Sequence, residues 1–300
     1  MSGRLARFKI LFALFAALGV LMTRPDASAQ ATAPSLTVTA KARSVRPGEL
    51  VLLTVTAPKS LSDVRARAFD RDLPAYSVNA RTWRVLVGID LETAPRKYSV
   101  DIVASDPTAT TLHATHSLVV VARQFPTRRL TVDPAFVNPP PEALERIARE
   151  SAELNELWSR PTMTRLWMGT FVRPVPDEAN SAFGTRSILN GEARSPHSGA
   201  DFNSATGTPI KAPNAGRVVL AGDRYYTGNT VMIDHGLTLF SLFAHLSEID
   251  VKVGDTVVAG DVIGKVGATG RVTGPHLHWS VRLGSARIDP LSLLTVMGEK

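Results

Sequence analysis

The chain has 300 residues, 44% of them hydrophobic and 20% charged, a globular composition with enough apolar material for two modest domains. The absence of cysteine excludes disulfides and cysteine-ligated metal sites, so any metal must be bound by His, Asp or Glu. The formal net charge of +7 is not gathered into a Lys/Arg stripe interleaved with aromatic residues, so we expect no nucleic-acid partner.

Residues 1–29 have the pattern of an export signal. Basic residues precede an apolar run of 13 residues at 10–22, and a small-residue Ala-Ser-Ala site follows at 27–29. The run is shorter than the ~20 residues needed to cross a bilayer, so we expect cleavage; an uncleaved anchor is the alternative. Cleavage removes four basic residues and one acidic residue, which lowers the net charge to +4. We therefore expect an exported protein without a stable membrane anchor, in the periplasm, the cell envelope or outside the cell.

Residues 30–123 show the two-residue alternation of half-buried strands. In one segment Trp83, Val85 and Val87 alternate with other residues, and Pro, Gly and Asp residues separate the segments. Short strands at this density predict an immunoglobulin-like β-sandwich. His113 and His116 are three positions apart and would face opposite sides of a strand, so we expect them to be surface residues.

Residues 124–165 begin as a proline-rich joint, with prolines at 134 and 139–141. An apolar stripe at spacings of three and four then predicts a short amphipathic linking helix; its members are Leu144, Ile147, Ser151, Leu154 and Trp158. We expect this helix to pack between two domains, and a partner-binding helix is the alternative.

Residues 166–300 return to short Val- and Ile-rich segments broken by glycine, which predicts a second antiparallel β domain. The chain as a whole is therefore predicted to be all-β apart from the linking helix. Five of its seven histidines lie in this last part.

Three histidine motifs occur in this part. They are His197 with Asp201 in an H-x-x-x-D pattern, His245 after Phe-Ala, and the H-x-H pair His276 and His278. Residues i and i+2 of a strand point to one face, so the H-x-H pair should face one cleft. Together the motifs offer two histidines and an aspartate, which is the number of protein ligands in a catalytic zinc site that keeps one position for water.

The motifs, in their order, resemble the LytM/lysostaphin-type zinc metallopeptidases over about 120 residues. The matching stretches are residues 183–186 (Phe-Gly-Thr-Arg), 197–201 (His-Ser-Gly-Ala-Asp), 233–236 (Ile-Asp-His-Gly), 243–246 (Phe-Ala-His-Leu) and 274–278 (Gly-Pro-His-Leu-His). The resemblance implies a small antiparallel β-sheet domain with a narrow groove over Zn²⁺. Loops near residues 222–229 and 268–274 would form the walls of that groove.

By this resemblance His197, Asp201 and His278 ligate zinc, and His245 and His276 stand beside it as catalytic residues. One imidazole would accept the proton of the attacking water, and the other would contact the carbonyl oxygen that gains charge. The sequence does not assign these two roles; we favour His276 as the base because it is two residues from a ligand.

Several other positions carry expectations. Arg186, Tyr225 and Tyr226 are candidate groove residues, with exposed loop side chains as the equal alternative. His235 is expected in a hairpin turn rather than in the site. The sequence also departs from the family pattern at two positions. Phe243 replaces a common Tyr near the cleft, and Ser280 stands where an acidic residue often follows; we expect neither to touch a ligand.

The sequence therefore predicts a secreted zinc endopeptidase that hydrolyses the peptide cross-links of peptidoglycan, with stem peptides as substrate. A non-catalytic regulatory module that activates another wall hydrolase is the alternative, but such relatives usually lack a metal ligand. A peptidase of secreted proteins would differ in substrate alone. The bond cleaved, the oligomeric state and the role of the sandwich (wall binding, inhibition or spacing) stay open.

Overall fold

The computed structural model describes residues 35–132, 137–180 and 182–298. The export signal expected at residues 1–29 lies outside these ranges. Within them, no helix is both long enough and apolar enough to span a membrane.

Eight strands form two antiparallel four-stranded sheets in the first part of the chain. The strands are β1 (Thr37–Ala42), β2 (Leu50–Thr56), β3 (Asp63–Ala68), β4 (Arg71–Leu73), β5 (Ala75–Asn79), β6 (Thr82–Gly88), β7 (Lys97–Ser105) and β8 (Thr111–Val119). The sheet orders are β1-β2-β6-β5 and β4-β3-β7-β8. Alternate residues of both sheets share one buried cluster, for example Val51 and Leu53 with Val100 and Ile102. The alternation in the sequence thus produces two packed layers, and their immunoglobulin-like character stays a prediction.

The joint predicted at residues 124–165 contains a strand as well as a helix. β9 (Thr127–Leu130) pairs in parallel with β10 (Arg186–Leu189), and β10 pairs antiparallel with β11 (Glu192–Ala193). The joint is therefore hydrogen-bonded to the segment that leads directly into His197.

The predicted amphipathic helix is α1 (Pro141–Ser159), which begins with a proline where no N–H partner is needed. Its second half packs Leu154, Leu157 and Trp158 against three residues of the following sheet, Leu220, Met232 and Phe240. Leu144, which the stripe placed on the buried face, is 53% exposed. That expectation was wrong because the first half of α1 is held by charged contacts to residues 223–225 instead of apolar ones.

The last part of the chain forms a nine-stranded sheet in which every strand pairing is antiparallel, as predicted. Its elements are β12 (Gly199–Phe202), β13 (Pro209–Lys211), β14 (Gly216–Arg224), β15 (Gly228–Gly236), β16 (Leu239–Ile249), β17 (Thr256–Val257), β18 (Val262–Val266), β19 (Leu277–Leu283) and β20 (Ala286–Ile288), followed by α2 (Pro290–Met297). The main strand order is β12-β19-β16-β15-β14-β17, with β18 paired to β13 and β16, and β20 paired to β19.

The apolar core of this sheet continues into the sandwich. Leu50, Leu52 and Leu86, on the face of β2 and β6 opposite the sandwich interior, belong to the same buried cluster as Leu293 of α2. Tyr76 of β5 is in this cluster too and contacts Trp167 edge to face, with ring centroids 5.6 Å apart. The two parts of the chain therefore share a core instead of meeting at a solvated surface.

A group of four charges, two of them buried carboxylates, crosses the same interface. Glu49 and Asp289 are 2% and 3% exposed, and both accept hydrogen bonds from Arg43 and Arg123. The shortest contacts join Arg43 Nη2 to Glu49 Oε1 at 2.7 Å and to Asp289 Oδ2 at 2.6 Å. Asp289 also caps α2 by accepting the N–H of Leu291. Loss of Arg43 would remove the shortest contact of both buried carboxylates and should be destabilising.

Candidate metal centre

Two neighbouring strands place the metal-ligand candidates side by side. β12 and β19 are antiparallel partners, and Asp201 lies directly opposite His278 in their register. Because side chains alternate along a strand, His276 and His278 point to the same side as Asp201. His197, two residues before β12, is held by backbone hydrogen bonds to the segment at 184–185.

The ligand atoms of His197, Asp201 and His278 all lie within 4.8 Å of one another. His197 Nε2 is 3.0 Å from Asp201 Oδ1, and His278 Nδ1 is 2.8 Å from the same oxygen. Two imidazole nitrogens and one carboxylate oxygen, with a fourth position left for water, make up the donor set of catalytic zinc sites. The expected ligands are thus brought together by the fold.

The electrostatics of the cluster suit a cation. Burial by itself raises the pKa of the Asp201 carboxyl, but hydrogen bonds from His197 and His278 outweigh it and hold the pKa well below its usual range. Burial lowers the pKa of His278. At neutral pH the cluster therefore offers a carboxylate and a neutral imidazole, the protonation states in which these side chains bind metals.

The two predicted catalytic histidines lie beside the cluster. His276 Nε2 is 3.9 Å from Asp201 Oδ1, and the rings of His245 and His276 are 4.9 Å apart at their centroids. His276 Nδ1 is 2.9 Å from the carbonyl oxygen of Gly274, and His245 Nδ1 is 2.9 Å from that of Thr269. A carbonyl oxygen only accepts, so Nδ1 carries a proton in both rings, and Nε2 of either ring, when it carries no proton, is free to accept one.

His245 has an unusual backbone conformation for a strand residue, with φ at +68°. Its N–H donates to the carbonyl oxygen of Thr227, and its ring donates to Thr269, so the two loops that flank it hold this conformation. Burial lowers the pKa of His245 to about 4. Residues held in such uncommon backbone regions cluster at functional sites.

Comparisons with known proteins agree with this geometry. The model of Peptidase family M23 matches residues 195–290. The crystal structure of a Pseudomonas aeruginosa protein described as a peptidase M23 is 34% identical, with a TM-score of 0.64 over 85% of this chain and 96% of that chain. The chain belongs to peptidase family M23.

The curated relatives match about a third of this chain. Peptidoglycan DD-endopeptidase ShyA of Vibrio cholerae is 48% identical over 86 residues, which are 29% of this chain and 20% of that protein. DD-carboxypeptidase/endopeptidase Mpg of Neisseria meningitidis is 41% identical over 97 residues, 32% of this chain and 22% of that protein. The match thus spans about a fifth of the length of these relatives.

The groove walls expected in an M23 peptidase contact each other here. Tyr225 and Tyr226 pack edge to face in the hairpin between β14 and β15, with ring centroids 5.0 Å apart. The Arg271 guanidinium, in the second of the two loops, lies 4.4 Å from the centre of the Tyr226 ring. The backbone N–H of Arg271 donates to the Tyr226 carbonyl oxygen. Arg271 was missed by the sequence reasoning because it lies in a loop and belongs to no motif. Arg186 is exposed on β10.

His235 of this M23 chain is outside the metal cluster, and it does not lie in a turn. It is fully buried at the end of β15, with Nδ1 2.8 Å from the carbonyl oxygen of Ala215 and Nε2 3.0 Å from Ser241 Oγ. Burial lowers the pKa of His235 to about 4. The following residues, Leu237 and Thr238, make the hairpin turn instead.

The two residues that depart from the family pattern, Phe243 and Ser280, have other surroundings in the structure than the sequence predicts. Phe243 is fully buried and stacks on Trp279, with ring centroids 6.2 Å apart, so the position faces the core and not the cleft. Ser280 was expected to touch no ligand, and this was wrong. Its Oγ lies 2.8 Å from His278 Nε2, because residues 278 and 280 share one face of β19.

Proposed function

We propose that the chain is an exported zinc-dependent endopeptidase that hydrolyses peptide cross-links of bacterial peptidoglycan. The observation that carries the proposal is the placement of three metal-binding side chains beside two histidines whose Nε2 atoms can accept a proton. The name of the relative ShyA, a peptidoglycan DD-endopeptidase, supports wall stem peptides as the substrate class.

His197, Asp201 and His278 would hold Zn²⁺, because their donor atoms, spacing and protonation states fit that ion. When bound, zinc lowers the pKa of a coordinated water towards ~7 and polarises the scissile carbonyl group. The three side chains fix the position at which water and substrate meet. The two remaining histidines then move protons around that position.

His276 is the proposed general base. Its Nδ1–H is bound to the Gly274 carbonyl oxygen, and its free Nε2 is the one that lies 3.9 Å from Asp201 Oδ1. It would accept the proton of the attacking water and pass it to the leaving amine. His245 would contact the carbonyl oxygen that gains charge. In the tautomer that donates from Nδ1 to Thr269, His245 Nε2 carries no proton, so donation to that oxygen requires the other tautomer of the ring or its protonated form.

The proposal assigns a role to each part of the chain. Residues 1–29 direct export, residues 30–123 form the sandwich, residues 124–165 the joint and helix, and residues 166–300 the peptidase domain. The metal cluster lies entirely in the last of these. The shared core and the buried charges support a sandwich that is fixed on the peptidase domain.

Alanine substitution at each of the five site residues tests the function. Two quantities are measured on the purified full chain: metal content by elemental analysis, and hydrolysis of a cross-linked wall peptide followed by mass spectrometry. His197→Ala, Asp201→Ala and His278→Ala should lose zinc. The His276 variant should keep zinc and lose about 10²–10⁴-fold in rate, as for a general base. The His245 variant should keep zinc and lose about 10²–10³-fold, as for an oxyanion donor.

The control is His113→Ala, an exposed position on β8. It should retain both zinc and activity. The assignment of roles is refuted if His276→Ala loses zinc while His278→Ala keeps it. Full activity in every variant would refute the peptidase proposal and favour a module that regulates another wall hydrolase.

A further inference from the structure

The contact between Ser280 and His278 extends the metal site beyond its three ligands. Ser280 is 8% exposed, and its Oγ lies 2.8 Å from His278 Nε2, on the side of the ring away from Asp201. The nitrogen facing Asp201 is Nδ1, at 2.8 Å. The ring is therefore held at both nitrogens, one within the ligand cluster and the other by a serine hydroxyl.

The neighbouring strand leaves room for this arrangement. Gly199 lies opposite Ser280 in the register of β12 and β19. A Cβ atom at Gly199 would lie 2.6 Å from His278 Cε1 and 2.7 Å from Nε2, so any other residue would push the imidazole away. The His278 ring thus fits against Gly199, which has no side chain, and is held by the hydroxyl of Ser280.

We propose that Ser280 is a positioning residue for the metal, holding His278 in the orientation that presents Nδ1 as a ligand. The inference rests on the metal site of the proposed function. A nitrogen that binds a metal carries no proton, so the ring proton of a ligating His278 is on Nε2, where Ser280 Oγ accepts it. Partners of this kind orient a ligating histidine.

A hydroxyl does this differently from a carboxylate. A serine hydroxyl both donates and accepts, so it can satisfy Nε2 whether the ring proton is on Nε2 or on Nδ1, whereas an ionised carboxylate only accepts. The hydroxyl also adds no negative charge beside the cluster.

The chain contains a matched control for the experiment. Ser241 Oγ lies 3.0 Å from Nε2 of His235, and both residues are fully buried. Ser241 is on β16, the strand next to β19, and neither it nor His235 is in the metal cluster. Ser280→Ala and Ser241→Ala therefore each remove a serine hydroxyl that contacts Nε2 of a histidine. Only the first of these contacts is at the metal site.

The test is the Zn²⁺ affinity of the full chain, measured by competition with a chromophoric chelator, with thermal unfolding of the metal-free protein as a folding check. Ser280→Ala should raise the zinc Kd about 10–100-fold, the usual loss when the outer partner of a ligating histidine is removed. Ser241→Ala should leave the zinc Kd unchanged while lowering the unfolding temperature. Equal affinities of Ser280→Ala and the unsubstituted chain would overturn the proposal, and so would an equal loss in both variants.

Two variants of equal shape keep the test valid if Ser280→Ala does not fold. Ser280→Thr retains a hydroxyl and Ser280→Val does not, so Val should bind zinc about 10–100-fold more weakly than Thr. Equal binding by the two would overturn the role of the hydroxyl. If the unsubstituted chain binds no zinc, the proposed function itself fails, which is a separate result from a chain that binds zinc without regard to residue 280.

Discussion

Gly48 is the position at which one added methyl group should affect both the sandwich and the metal site. Its φ is +86°, and a Cβ atom there would lie 2.3 Å from Cε1 of the buried Phe183 ring. Phe183 is followed by residues whose backbone holds His197. The Gly184 N–H donates to the His197 carbonyl oxygen at 2.7 Å, and the His197 N–H donates to that of Thr185 at 2.9 Å. Gly48→Ala should therefore disturb His197, a proposed metal ligand, from within the sandwich.

The magnitude has two parts. A non-glycine residue in the left-handed region costs about 1–2 kcal/mol. Forcing an extra carbon against a packed ring costs a further ~1–3 kcal/mol. Gly207→Ala isolates the first part, because Gly207 has a φ of +87° and no atom within 4 Å of its would-be Cβ. We expect unfolding free energies lowered by about 2–5 kcal/mol for Gly48→Ala and by about 1–2 kcal/mol for Gly207→Ala.

The assay combines urea unfolding of the metal-free protein with zinc competition. If a movement of His197 relieves the strain, zinc binding must move the residue back, and each ~1.4 kcal/mol of this cost raises the zinc Kd about tenfold. We therefore expect a rise of about tenfold in the zinc Kd of Gly48→Ala and no rise in that of Gly207→Ala. Adding Phe183→Leu to Gly48→Ala should recover part of the affinity, because it removes the colliding ring atoms. Equal unfolding free energies in the two glycine variants, or unchanged zinc binding in Gly48→Ala, would show that Phe183 does not couple Gly48 to His197.

Two further expectations concern pH and the groove wall. The pKa of buried His235 falls from 6.5 to about 4 on folding, so its neutral form stabilises the protein above pH 6.5, and about 3 kcal/mol is lost as the pH falls towards 4. His235→Gln should flatten that part of the pH dependence of urea unfolding; an unchanged slope would exclude His235 as its source. Glu150 accepts the N–H of Tyr225 at 2.8 Å, so Glu150→Ala should raise KM for the wall peptide several-fold at constant zinc content, and Glu150→Gln less. Glu153→Ala, which removes only an ion pair with Arg224 on the exposed face of α1, is the control; equal effects of the two Ala variants would contradict a specific role.

The shared face of His276 and His278 could be predicted from the sequence because strand geometry is regular. The two-residue spacing of His276 and His278 fixes one face, and antiparallel pairing then places Asp201 opposite His278. The conformation of His245 could not be predicted. Its positive φ follows from contacts with two loops that are distant in sequence, and nothing in the local residues requires it.

The sequence of β2 does indicate the shared core, although a search for alternating apolar residues alone would not find it. β2 begins Leu-Val-Leu-Leu, and every one of these residues is buried. Leu50 and Leu52 face the peptidase domain, while Val51 and Leu53 face the second sheet of the sandwich. A strand covered on both faces is apolar at successive positions, so this run indicates a second packing partner. No sequence pattern predicts the hydrogen bond between Ser280 and His278. Side chains at positions i and i+2 of a strand lie near each other whether or not they form a hydrogen bond.

The contact of Arg43 with Asp289 joins positions 246 residues apart, and this distance along the chain has a consequence for the order of folding. Hairpins within the sandwich and within the peptidase sheet close over short stretches, whereas contacts between distant positions close slowly because the loop between them must first be ordered. We therefore expect docking of the sandwich to be the last step. Since Phe183 reaches its final place against Gly48 only then, the cluster of His197, Asp201 and His278 would be completed by docking, and a chain whose sandwich has not yet docked would lack the completed cluster.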